Sequence, residues 1–212
     1  MTERRKGLRE RKKQATREAL REAALRLALE RGPGNVRVDD IAEAAGVSPR
    51  TYNNYFSSRE QAIVAAVTAE REARVAAAVA ARDGVRLSEA VVDAIVEQYT
   101  DPGAHGHEAL LMITRDAGLR ETYLGTATVI AGPLADVFAA RLDDSGENDL
   151  TARVLAAGVA AAVRVALEQW VRPVSGGLVV VSGSLPELLR AALRPLAPAL
   201  DAADRSGKPK RQ

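Results

Sequence analysis

Five polar side chains crowd a stretch of seven residues: Ser48, Arg50, Thr51, Asn53 and Asn54. Their chemistry is hydrogen bonding, not bond breaking. Arginine forks onto guanine, asparagine pairs two-fold with adenine, and a threonine methyl meets the methyl of thymine. On a short helix these residues add little stability, because Asn, Ser and Thr compete for the backbone's own hydrogen bonds. Gathered on one face, they suit a surface that reads base edges and phosphates in a major groove.

Other reactive groupings are missing or have a plainer reading. The chain shows no Ser/His/Asp set, no phosphate-cradling glycine loop and no metal-ligand cluster, which argues against an enzyme. Asp39 and Asp40 are adjacent carboxylates, but at a helix start they complement the helix dipole. Asp136, Asp143, Asp144 and Glu147 read as a solvated rim. His105 and His107, the only histidines, form a lone His-x-His in a glycine-rich loop, which is weak evidence for a metal. The absence of cysteine removes disulfides and thiolate metal sites and fits a reducing, cytoplasmic setting. No metal or bound cofactor is expected.

The overall charge of +2 hides a lopsided distribution. Residues 1–17 hold eight basic and two acidic side chains, a net +6, and residues 204–212 a net +3, which leaves −7 for the middle. A basic end on an acidic body suits contact with a polyanion; a solvated terminus is the plain alternative. Charged residues interrupt the apolar stretches, so no membrane span is expected, and the basic N-terminus lacks the apolar run of a signal peptide.

The elements that must present the polar set are helices. Alanine is abundant and aromatics are few, and alanine gives up no side-chain entropy on becoming helical. Leu20, Ala23, Ala24 and Leu27 fall on one helical face, and Gly32-Pro33-Gly34 ends that run. Helices are expected at about 11–31, 39–45, 48–56, 58–82, 87–99, 106–117, 119–143, 149–171 and 185–203, with Pro133 kinking or dividing the seventh. Val179–Val181 is the only strand-like run, and no second run is available to pair with it. The fold class is all-α, with about nine helices. The domains expected are a flexible basic arm (1–10), a DNA-binding module (11–57), a larger helical domain (58–203) and a disordered basic tail (204–212).

Residues 37–63, RVDDIAEAAGVSPRTYNNYFSSREQAI, hold what a helix-turn-helix requires. Ala42 is small where two helices cross, Gly46 tolerates a positive φ at the turn, and Ile41, Val47 and Tyr52 are apolar wedges. Ser48 and Pro49 form a good N-cap and first helical residue. Together with "ALERG", which closes the first helix, this array resembles the TetR family over about residues 16–63. The resemblance implies an N-terminal helix-turn-helix that binds double-stranded operator DNA. It places Ser48, Arg50, Thr51 and Tyr52 at base-contacting positions. It places Tyr55 and Arg59 on phosphates, and Thr16 and Arg17 near the phosphate contact of the first helix. Arg37 stands where a small hydroxyl residue often begins the second helix. Asn53 replaces the usual Tyr or Phe, shifting contact there toward hydrogen bonding, and Ser57 replaces the usual proline. Tyr52 and Tyr55 also have a plainer reading, as core residues of the small module.

The resemblance further implies a homodimer through the last long helices, near 149–171 and 185–203, and a small-molecule effector site. Tyr99, Leu111, Met112, Arg115, Tyr123, Val129, Phe138 and Trp170 are candidate lining residues, with ordinary core as the alternative. The N-terminal half looks closest to members with an acyl-CoA-like ligand-binding domain, so the effector expected first is a fatty acyl-CoA and next a drug-like or aromatic hydrophobe. The function implied is repression relieved by ligand. A helical interaction protein that has lost DNA binding, or an activator, is the rival.

Overall fold

The computed structural model describes residues 2–101, 106–142, 146–171 and 184–206. These fold as twelve α-helices and three short 3-10 segments, with no strand among the described residues. Three of the nine expected helices are each divided in two, which accounts for the larger number. Val179–Val181 and His105 lie outside the described residues.

The chain forms two compact units, residues 1–69 with 102–122, and residues 70–101 with 123–212. In the first, α1 (Thr2–Arg31) packs on α2 (Val38–Ala44), α4 (Arg59–Thr68) and α7 (Gly106–Arg115), and α3 (Pro49–Tyr52) follows α2. Residues 2–10, expected as an irregular arm, are helical. Their Arg, Lys, Glu and Leu are good helix formers, and extending an existing helix costs far less than starting one. Leu20, Ala23, Ala24, Leu27 and Ala28 bury the inner face of α1, and Val36, Ile41, Tyr52, Phe56 and Ile63 are buried in the same unit. Gly32, at φ 79°, ends the helix, and the Asn35 side-chain amide donates to the exposed Arg31 carbonyl at 2.8 Å.

The expected helix 58–82 breaks between α4 and α5 (Arg71–Ala80). Ala69 leaves the helix at ψ 129°, and Glu70 takes up φ 56°, ψ 11°. Among the described residues Glu70 alone is a non-glycine at positive φ, a conformation that costs about 1 kcal/mol or more. The sequence carries no breaker there. The turn sets Arg71, Val75 and Val79 on one buried face of α5.

In the second unit α5 packs on α6 (Leu87–Thr100) and α9 (Ala131–Leu142), and α10 (Gly146–Trp170) packs on α9 and α11 (Leu185–Leu193). α8 (Ala117–Gly125) runs into a 3-10 stretch, Thr126–Ile130, before α9. The break expected at Pro133 thus falls earlier, and the proline sits in the first turn of α9, where its missing N–H costs nothing. A 3-10 turn containing Pro195 divides the last expected helix into α11 and α12 (Ala197–Ser206). Half-buried Arg141 on α9 joins buried Asp204 on α12 at 3.0 Å and donates to the Val85 carbonyl. Asp201 accepts from the Ser88 backbone N–H at 3.1 Å and so caps α6.

Contrary to the reading of charge interruptions, two stretches, Ala117–Leu142 and Asp149–Trp170, are long and apolar enough to cross a membrane. The first is broken by the 3-10 turn. The second packs one face, with Val159, Val163 and Leu167, into the core of its unit.

Candidate nucleic-acid interface

The turn between α2 and α3 sets the interface. Three hydrogen bonds close the end of α2: Ala45 N–H to the Ile41 carbonyl, Gly46 N–H to Glu43 and Val47 N–H to Ala42, at 2.9–3.0 Å. The last two form a Schellman motif, which needs a left-handed residue after the cap, and Gly46 at φ 68° provides it. The chain reverses there and starts α3 at Ser48. The Ser48 hydroxyl accepts from the Thr51 N–H at 3.1 Å and shares a 2.9 Å hydrogen bond with the Thr51 hydroxyl. Pro49 fills the first helical position. At the other end of α2, Asp40 accepts from the Arg37 N–H at 2.9 Å, and Arg37 keeps an exposed side chain.

The helix expected over 48–56 ends at Tyr52, and this local folding sorts the side chains of α3 and of the turn that follows it. Ser48, Arg50, Asn53 and Asn54 are exposed, and Thr51 and Tyr55 are half-buried. Tyr52 is fully buried. Its ring tilts against Phe56 at 5.8 Å, and its hydroxyl donates to the Ser58 carbonyl at 2.7 Å. Burial, aided by the Glu60 charge, pushes its phenol up to about 12. Tyr52 therefore belongs to the core and is removed from the expected base-contacting set.

The expected phosphate contacts divide in the same way. Arg17 is exposed, with its guanidinium 5.7 Å over the Phe56 ring, so the basic side of α1 adjoins the segment that follows α3. Arg9, Arg11, Lys12 and Lys13 are exposed on that helix. Thr16 spends its hydroxyl on the Lys12 carbonyl at 2.9 Å. Arg59 is largely committed inside the module. One terminal nitrogen donates to the Gly34 and Val36 carbonyls at 3.1 and 3.0 Å, and Nε pairs with Glu60 at 2.7 Å. It ties the loop after α1 to the start of α4, and the side chain stays half-exposed. Burial raises the Glu60 carboxyl, but hydrogen bonds from Arg59, its own backbone and Ser58 outweigh it and hold the group below its usual range. Ser57, in place of the expected proline, donates to Gln61 through both its N–H and its hydroxyl, at 2.7 and 3.0 Å.

The arrangement presents a compact polar face with a fork (Arg50), two amides (Asn53, Asn54) and flanking cations. It offers donors and acceptors of the kinds that read base edges and, among the described residues, gathers no group of three metal-ligating side chains.

The expected effector-lining residues are drawn from both units. Leu111 (40% exposed), half-buried Met112 and exposed Arg115 belong to the first unit, and Val129 is exposed in the second. Tyr99, Tyr123 and Phe138 are buried and Trp170 half-buried in the second unit. Sequence reasoning missed Arg71, which lies 4.6 Å from the Tyr99 ring centroid and 5.7 Å from that of Tyr123. Its spacing of four and eight residues from Val75 and Val79 is the signal that places it on a buried face.

Comparisons with known proteins agree with this geometry. Residues 20–66 match the family model described as bacterial regulatory proteins, tetR family. Over 173 residues the chain is 31% identical to the HTH-type transcriptional regulator TcmR of Streptomyces glaucescens, covering 77% of this chain and 76% of that protein. A TetR-family regulator from Streptomyces coelicolor A3 shares the fold at 22% identity and a TM-score of 0.52, over 88% of this chain and 95% of its own. A TetR-family repressor, FadR of Thermus thermophilus, solved with lauroyl-CoA, is more distant, with 20% identity and a TM-score of 0.47 over 85% of this chain and 92% of that one.

Proposed function

Because the chain belongs to the TetR family of bacterial regulatory proteins, we propose that it is a homodimeric repressor that holds operator DNA through α3 and lets go when a small effector binds its second unit. The observation that carries the DNA-binding half is the sorting of α3 and the turn after it, with Arg50, Asn53 and Asn54 outside and Tyr52 inside. Arg50 and the two asparagines read bases. Arg17 and the basic side of α1 hold phosphates, so affinity falls steeply with salt as counterions return.

Dimerisation is supported by α10. Leu150 (65%), Val154 (61%) and Val165 (59%) are exposed, and they lie with exposed Ala157 and Ala161 along one helical stripe. The opposite face, with Ala152, Ala156, Val159, Val163 and Leu167, is already buried. A second copy laid on the exposed stripe covers it. The effector, a small and largely apolar molecule such as one with a fatty acyl chain, acts by binding the released state more tightly than the DNA-bound one. The setting is the cytoplasm.

The experiment is a gel shift with the full chain and DNA flanking its own gene. Retardation is expected for the native chain and is lost in a double variant, Arg50→Ala with Asn54→Ala. Undiminished binding by the double variant refutes the assignment of α3.

A further inference from the structure

Arg71 is the most unusual charged residue of the second unit. It is 5% exposed, and its Nε and one terminal nitrogen are buried with no hydrogen-bond partner. The Tyr99 hydroxyl beside it is equally without a partner. Three unpaired polar atoms thus meet in one buried place. The two nitrogens can only donate; the hydroxyl oxygen lies near enough to feel them but is not placed to accept a well-formed bond, and it keeps its own proton to donate. The faces of Tyr99 and Tyr123 attract the cation, but ring faces accept none of its hydrogen bonds in the plane of the guanidinium. Burial outweighs the attraction of the Arg71 charge and keeps the Tyr99 phenol well above its ordinary range, so the hydroxyl keeps its proton. Glu72, the acidic neighbour in sequence, does not reach either orphan nitrogen.

A buried cation left unpaired is costly, and proteins retain one where something else supplies the counter-charge. The backbone adds a second oddity in the same place. The residue before Arg71 is the left-handed Glu70, and that strained turn starts the helix whose buried face Arg71 shares with Val75 and Val79.

We infer that Arg71, with the Tyr99 hydroxyl, is the polar anchor of the effector site and that the effector carries a carboxylate there. The inference rests on the reading of the chain as a ligand-responsive regulator and names the chemistry of its ligand. A carboxylate offers only acceptors, matches the donors present and neutralises the guanidinium. The rest of the ligand is apolar or aromatic, in keeping with the two rings and the aliphatic core around them.

The test uses the full chain and matched pairs of probes, dodecanoate with dodecan-1-ol and 2-naphthoate with 2-naphthylmethanol, read by thermal denaturation and by titration calorimetry. At least one carboxylate raises the melting temperature of the native chain while its alcohol does not. Arg71→Met binds that carboxylate about 10- to 100-fold more weakly, the loss of a charge-assisted contact. Arg71→Lys retains part of the affinity, and Tyr99→Phe loses a smaller part. Without ligand, Arg71→Met melts at a higher temperature than the native chain, because an unpaired buried charge has gone. The inference is overturned if carboxylate and alcohol act alike, if neither carboxylate moves the native chain, or if unliganded Arg71→Met melts lower. DNA retardation by the unliganded native chain is measured beside these. Its absence sinks the regulator reading itself, whereas normal retardation with no carboxylate response sinks only the anchor.

Discussion

Tyr52 separates stability from recognition most sharply. It stands at a position that family resemblance links to DNA contact, yet it is fully buried, and its hydroxyl donates to the Ser58 carbonyl at 2.7 Å. Tyr52→Phe removes one hydrogen bond and leaves that carbonyl without its donor. The net value of such a bond is about 1 kcal/mol, rising toward 3 if the acceptor stays dry. Ser58 is half-exposed, so water reaches the region and the lower figure applies. In a chain of this size about 1 kcal/mol lowers the melting temperature by about 2–4 °C. Operator affinity below the transition stays within about twofold, since no atom on the reading face has changed. Tyr52→Ala also removes the ring that packs on Phe56, costs about 3–5 kcal/mol and abolishes binding by unfolding the module.

A pH series adds an independent check. The Tyr52 phenol titrates at about 12 in the folded chain against an ordinary 10.0. The native chain therefore holds a proton that the unfolded chain has already released. That contribution is complete below about pH 10 and is lost as the pH rises toward 12. Tyr52→Phe lacks this component, so the two stability curves converge across that window. The assays are calorimetric unfolding and fluorescence anisotropy with operator DNA. A Tyr52→Phe protein that melts normally but binds DNA tenfold more weakly would falsify the placement of this residue in the core.

Four further outcomes follow from the same geometry. Gly46→Ala destabilises by about 1–2 kcal/mol in chemical unfolding, because a Cβ there meets no neighbour and only the positive φ is penalised. Arg141→Met leaves Asp204 buried and unpaired and costs about 3–5 kcal/mol, with part recovered on adding Asp204→Asn. Val154→Arg places a charge in the exposed stripe of α10, and sedimentation then shows monomers with greatly weakened DNA binding. Deleting residues 2–10 lowers affinity and flattens its salt dependence without changing operator choice, as read by anisotropy at several salt concentrations.

The helix-turn-helix was legible because each requirement falls on a residue type with few substitutes: glycine at the left-handed turn, serine and proline at the start of α3, small Ala42 at the crossing. Periodicity likewise located the body of α1. What escaped depends on tertiary packing. Nothing in Thr68-Ala69-Glu70-Arg71 is a helix breaker, so the left-handed Glu70 follows from contacts made by α5 and not from local preference. Arg59 and Arg71 are charged residues of the kind usually solvated. One satisfies loop carbonyls distant in sequence, and the other is held between two rings.

Hydroxyl-radical and methylation-protection footprinting of the full chain on DNA flanking its gene tests the central claim most directly. Two half-sites with protected major grooves, centred about 34–36 Å apart or a small multiple of that, are predicted, and guanine protection disappears in Arg50→Ala. A footprint confined to the minor groove, or guanine protection that survives Arg50→Ala unchanged, contradicts the account.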